Sequence, residues 1–257
     1  MSGKFYDLNF EKQVVAITGA VTGFGPFYAE TLSEQGAFIV LIDTDSHKVE
    51  KEKKRICEKG GKCASFVIEN LYEEKSAMVL KKVEAEFGRL DVLVNNPITL
   101  CETEENVGDP GWNASLVQLQ KSLVAFSRNA GEIMKKNGYG RIVNTFSING
   151  IIDFASQTGY ASLRFGIIHT TKLLAIELGR TCNGIVVNGF IPGSMEIDGT
   201  IEKRAGERYP VLMYSPLKRL GRMEELQGAL VFLASEAAHY TTAQTISVDG
   251  GISCMIL

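Results

Sequence analysis

Hydrophobic residues in this chain gather in short β-branched runs, and longer stretches of helical periodicity separate them. "QVVAIT" (13–18), "AFIVLID" (37–43), "CASFVIE" (63–69), "LDVLVNN" (90–96), "GRIVNTFS" (140–147), "GIVVNGF" (184–190) and "QTISVDG" (244–250) predict seven strands. Their near-continuous hydrophobicity predicts burial on both faces. Between them, 26–35, 46–58, 72–87, 113–137, 159–181 and 223–235 predict helices. Such an alternation implies an α/β fold, a doubly wound parallel sheet with helices on both sides. No internal repeat, low-complexity linker or composition break divides the chain, so a single domain over 1–257 is expected. The segment 194–215, with its charges, Gly199, Gly206 and Pro210, is the least regular and is expected to form a mobile lid over the strand ends.

Composition narrows the function classes. With 257 residues, 45% of them hydrophobic, the chain can bury a full core. The beginning, "MSGKFYDLNFEKQ", is polar and no run is long and apolar enough to span a bilayer, so a soluble cytoplasmic protein without membrane partners is expected. The five cysteines (Cys57, Cys63, Cys101, Cys182, Cys254) show no C-x-x-C spacing, and His47, His169 and His239 are far apart in sequence. Neither a disulfide framework nor a metal site is expected. A net charge of −3 leaves no footprint for nucleic acid, and "HKVEKEKKR" alternates sign like a solvated helix face.

Candidate chemistry begins at "TGAVTGFG", Thr18 to Gly25, between the first strand and the first helix. Glycines let a backbone turn tightly and approach a pyrophosphate, and the following helix N-terminus offers free N–H groups and partial positive charge. Pro26 suits the first helical turn, where its missing N–H is harmless. Asp43 ends the second predicted strand, where a carboxylate can accept bonds from an adenosine ribose and repel a 2′-phosphate, which favours NAD over NADP. A second reading of Asp43 is the N-cap of the helix that follows.

A second motif is "YASLR". Tyr160 and Arg164 are four residues apart and share a helix face. A cation about 5 Å from a phenolate stabilises it by roughly 3 kcal/mol at an effective dielectric of about 20. Arginine can therefore do the electrostatic part of activating a tyrosine, although guanidinium is planar, larger and keeps its proton.

Taken in order, these motifs resemble those of the short-chain dehydrogenase/reductase family over essentially the whole chain. T-G-x-x-x-G-x-G has its glycines at Gly19, Gly23 and Gly25; Asn95 and Asn96 match the start of N-N-A-G; "GRIVNTFSING" matches the strand that carries the catalytic serine. "YASLR" matches Y-x-x-x-K, while "IPG" (191–193) and "VDGG" (248–251) match two further segments. The resemblance implies a Rossmann-type fold and an NAD-dependent oxidoreductase acting on a secondary alcohol or ketone. It makes Ser147 the group that holds the substrate oxygen, Tyr160 the acid or base, and Arg164 its cationic partner. It places the cofactor against Gly19, Thr22, Gly23, Phe24, Gly25, Asp43, Asn70, Asn95, Tyr160, Arg164, Pro192 and Gly193. Helices 113–137 and 159–181 are those through which the family usually dimerises, so a dimer or tetramer is expected.

Departures from the family pattern cluster. Arg164 replaces its lysine, Leu119 stands where an asparagine usually holds a relay water, Asn70 replaces an adenine-contacting aspartate, and Pro97 interrupts N-N-A-G. Two alternatives stay open on this ground. One is a cofactor-free lyase like the halohydrin dehalogenases, which use Ser-Tyr-Arg but carry a large aromatic at the position of Gly23. Here the aromatic is Phe24, one place later and expected to face helix packing. The other is a non-catalytic protein that binds NAD and regulates.

Overall fold

The computed structural model describes residues 8–70, 73–96, 110–146, 148, 158–196 and 213–254, with backbone alone for 73–74, 110–116 and 158–164. Seven parallel strands form one sheet: β1 (Val14–Thr18), β2 (Phe38–Asp43), β3 (Lys62–Val67), β4 (Val92–Asn95), β5 (Gly140–Thr145), β6 (Ile185–Pro192) and, last in the chain, β9 (Thr245–Val248). Their spatial order is β3-β2-β1-β4-β5-β6-β9, which reverses direction between β1 and β4. That reversal opens a crevice at the carboxyl ends of β1 and β4, the place where such sheets bind ligands.

Period-two alternation explains the two-sided burial. Along β1, Val14 and Ala16 enter one core while Val15 and Ile17 enter the other. The first core packs under α3 (Glu73–Phe87), α4 (Pro110–Asn137) and α5 (Thr158–Thr181). The second packs under α1 (Gly25–Glu34), α2 (Ser46–Glu58) and α6 (Gln227–Ala234). The doubly wound, Rossmann-type sheet expected from the pattern is therefore observed. Burial on both faces holds for β1, β2, β4, β5 and β6, but the edge strands β3 and β9 are only partly covered. An edge strand has a neighbour on one side only, so its faces are covered less completely.

Two local features depart from the expected elements. Residues Met223–Leu226 form a 3-10 turn before α6, because the Glu225 carboxylate reaches back to the Arg222 N–H at 2.8 Å and to Arg219. A small second sheet pairs β7 (Met195–Glu196) with β8 (Gly221–Arg222) in parallel. β7 lies at the start of the predicted lid (194–215) and β8 beyond its end, and the 197–212 portion of the lid lies outside the described residues. Among the described residues no helix is long and apolar enough to cross a membrane, and no cluster of three metal-ligating side chains occurs.

Candidate nucleotide-binding site

The glycine loop sits at the sheet's reversal point. Thr18 pairs with Ile42 on one side and Asn95 on the other, so the turn leaves β1 between the ends of β2 and β4. Gly23 has φ +56°, a left-handed conformation that a side chain disfavours. A Cβ on Gly25 would lie 2.2 Å from the Gly19 carbonyl oxygen, so only glycine lets α1 start this close to the strand. No side chain caps α1, and Pro26 occupies its first turn. Its N-terminal partial charge is thereby left to an anion.

Phe24 precedes the helix and turns into the core. Its ring stacks on Tyr28 with centroids 6.1 Å apart, and Tyr28 meets Phe190 edge-on at 6.0 Å. The expectation that Phe24 faces helix packing agrees with this geometry, and Gly23 leaves open the space a large aromatic would take.

Asp43 ends β2 against the loop. Its Oδ2 accepts the Val21 N–H at 2.9 Å and its Oδ1 accepts the Thr44 N–H at 2.7 Å, and the residue is 1% exposed. The N-cap of α2 is Asp45, whose Oδ1 accepts the Lys48 N–H at 3.0 Å, so the capping role falls two residues beyond Asp43. Asn70 lies just past β3, on the same carboxyl edge of the sheet as Asp43.

The side chain of Asn95 is committed to a buried network. Its Nδ2 donates to Ser127 Oγ at 3.1 Å and to Asn144 Oδ1 at 2.9 Å, while its Oδ1 accepts from the Thr18 hydroxyl at 3.4 Å. Asn144 Nδ2 in turn donates to Thr171 Oγ1 at 3.0 Å. These bonds tie β1, β4 and β5 to α4 and α5. Helical spacing puts positions 160, 164, 167 and 171 on one face of α5, and there Ile167 and Thr171 are fully buried. The network thus sets the rotation of the helix that carries positions 160 and 164. Ser147 and Pro97 lie outside the described residues, and the structure describes Tyr160 and Arg164 as helix backbone only.

Leu119 packs, partly buried, against the core under α4 and α5, and next to it Gln120 Nε2 donates to Thr170 Oγ1 at 2.9 Å. Pro192 ends β6 and pairs with Val248; the Gly193 N–H donates to the Val248 carbonyl at 2.9 Å. Asp249 braces this corner by accepting the Gly251 and Ser253 N–H groups at 2.9 and 3.2 Å. The "IPG" and "VDGG" segments are therefore neighbours at the carboxyl edge.

One residue at the loop was recognised in the sequence as part of a motif but was given no role. Asn96 Nδ2 donates to the carbonyls of Gly19 and Thr22 at 2.8 and 2.9 Å, and its Oδ1 accepts from Thr145 Oγ1 at 3.2 Å. The only signal for it in the sequence was the second Asn of "NN".

Comparison with known proteins gives this geometry a family. A family sequence model described as "Enoyl-(Acyl carrier protein) reductase" matches residues 19–253. The chain is 34% identical over 247 residues to 3-oxoacyl-[acyl-carrier-protein] reductase FabG of Escherichia coli (strain K12), covering 95% of this chain and 99% of the relative. It is 32% identical over 246 residues to nodulation protein G of Azospirillum brasilense, covering 94% and 98%. A crystal structure of a gluconate 5-dehydrogenase from Burkholderia cenocepacia J2315, in complex with NADP and tartrate, superposes with a TM-score of 0.87 at 26% identity, covering 97% of this chain and 98% of that one. With a parallel sheet reversed at the glycine loop and relatives matched along nearly their whole length, the chain belongs to the short-chain dehydrogenase/reductase family of oxidoreductases.

Proposed function

We propose that the protein is an NAD(H)-dependent oxidoreductase that interconverts a secondary alcohol and a ketone, using Ser147, Tyr160 and Arg164. The observation that carries the cofactor reading is Asp43, a carboxylate at the end of β2 that touches the loop through Val21. A 2′-phosphate would meet this charge, whereas ribose hydroxyls would meet an acceptor. The glycine loop and the uncapped start of α1 suit a pyrophosphate. The NADP in the gluconate 5-dehydrogenase crystal belongs to that protein; Asp43 supports the other dinucleotide here.

The names of relatives support the substrate class. The relatives' names refer to a 3-oxoacyl group and to carbon 5 of gluconate, both consistent with a ketone or secondary alcohol as the reacting group. A nicotinamide, when bound, supplies the hydride chemistry. On this reading Ser147 holds the substrate oxygen, Tyr160 gives or takes its proton, and Arg164 stabilises the phenolate without releasing a proton of its own. Asp43, Asn70 and the loop from Gly19 to Gly25 hold the adenosine and pyrophosphate, and Asn95, Pro192 and Gly193 border the nicotinamide end. The protein works in the cytoplasm as a homo-oligomer.

Titration with NADH and NADPH, followed by nicotinamide fluorescence, tests the cofactor. Saturable micromolar binding with NADH preferred is expected; equal affinity or a preference for NADPH would refute the role of Asp43. In a screen of alcohols and ketones, Tyr160→Phe is expected to abolish turnover while leaving NADH affinity nearly unchanged. If NADH binds and neither class turns over, the regulatory reading replaces the catalytic one. Arg164→Lys then reports on the unusual cation: higher activity marks arginine as tolerated, and lost activity marks it as required.

A further inference from the structure

The clamp on the glycine loop has a second layer. Gly19 and Thr22 present carbonyl oxygens to Asn96, and these accept hydrogen bonds but cannot donate them, so the Asn96 group facing them is the amide NH2. That orientation leaves Oδ1 facing Thr145. The Thr145 hydroxyl shares its proton between Asn96 Oδ1 at 3.2 Å and the Asn95 carbonyl at 3.1 Å. Both residues are buried, with Asn96 8% and Thr145 3% exposed, so water does not readily substitute for either partner. On its other side the loop is held by Asp43 Oδ2 on the Val21 N–H. The loop is thus pinned between the ends of β2 and β4, with two of its carbonyls committed to Asn96. Carbonyls held there cannot turn toward a phosphate.

We infer that Thr145 is a positioning residue for dinucleotide binding: acting through Asn96, its hydroxyl holds the Gly19–Thr22 turn in nucleotide-ready form before any nucleotide arrives. The inference rests on the reading of this loop as a dinucleotide site. The preorganisation it describes lowers the cost of ordering the loop on binding.

Two measurements on the full chain test it: hydrogen–deuterium exchange of residues 18–25 without nucleotide, and NADH and NADPH affinity by nicotinamide fluorescence. Thr145→Val keeps the side chain's shape and removes the hydroxyl. It is expected to speed exchange in the loop and to weaken binding of the preferred dinucleotide about tenfold, the scale of one buried hydrogen bond. Thr145→Ser is expected to restore both properties, because it keeps the donor and loses only a methyl. A purely structural role for Thr145 predicts the opposite order, with valine the better substitute in every assay. Asn96→Asp keeps the acceptor for Thr145 but faces the two carbonyls with a carboxylate, and it is expected to loosen the loop even if the valine variant does not fold. Serine behaving like valine, or loop exchange in the valine and aspartate variants matching the wild type, would overturn the inference. If the wild-type protein binds neither dinucleotide, the nucleotide reading fails and the positioning role with it, while the exchange data still decide whether the clamp exists. If it binds and only the variants' effects are missing, the inference alone falls.

Discussion

Tyr28 shows how much one atom can say. Its side chain fills the space between α1 and β6 beside Phe190, yet its hydroxyl is buried without a hydrogen bond of normal geometry, the side chain it approaches being Thr145. Burial pushes the phenol's pKa up, so it stays neutral and takes no part in proton transfer. Deleting a buried, unpaired hydroxyl removes a desolvation cost rather than an interaction. Tyr28→Phe is expected to leave stability unchanged or raise it by up to about 1 kcal/mol in urea denaturation. A loss larger than that would show that the hydroxyl is bonded in solution. Neither Tyr28 nor Thr145 stood out in the sequence, because each occupies an apolar-looking position and its neighbours come from distant segments.

At the scale of elements, α1 and α2 are joined by a cluster of charges. Arg55 lies between Glu52 at 2.7 Å and Glu30 at 2.8 Å, and Lys59 also bonds Glu30. Arg55 Nη2 approaches the Pro26 carbonyl at 3.4 Å, so the same side chain steadies the first turn of α1. Burial alone would raise the Glu30 pKa, but the bonds from Lys59 and Arg55 outweigh it and hold the carboxyl below its usual range. A lowered pKa contributes stability in full above the ordinary carboxylate value and loses it as pH falls through the lowered one. Arg55→Met is expected to cost about 1 kcal/mol near neutrality, discounted for partial exposure. Melting curves from pH 7 down to about pH 3 check this: the gap between variant and wild type should shrink once the pH drops below about 4. The sequence showed this helix as a solvated charge run, and it showed nothing of the cross-link to Glu30, which depends on how α1 and α2 pack.

Across the described residues, the outer face of α4 and α5 gathers several exposed apolar side chains. Phe165, Leu173 and Ile176 on α5 are 64%, 53% and 50% exposed, Val117 on α4 is 53% exposed, and His169 is exposed among them. Apolar side chains at this spacing form a stripe that water solvates poorly. The homo-oligomer proposed above, if built on these helices, would cover it. Leu173→Glu is therefore expected to reduce the mass measured by light scattering, with the far-ultraviolet circular dichroism of the wild type retained. An unchanged mass would move the interface elsewhere, for example to the partly covered edge strand β9.

Elements and chemistry were legible by different routes. Near-continuous apolar runs predicted the seven strands and the burial of the five inner ones, because a strand covered on both faces has no room for polar residues at either parity, whereas β3 and β9 lie at the edges and are only partly covered. The glycines of the loop were legible because backbone geometry excludes other residues there, as Gly23 and Gly25 show. Asp43 was legible because its place at a strand end follows from local sequence, and the N-cap alternative is settled by the position of Asp45. What the tertiary structure alone decided is which polar groups meet. Strands β1, β4 and β5 are distant in sequence and adjacent in the sheet, and only their register brings Thr145 to Asn96 and Asn96 to Gly19 and Thr22. Hydrophobic periodicity is a local property of the chain, whereas a hydrogen bond across the sheet exists only once the strand order has been chosen.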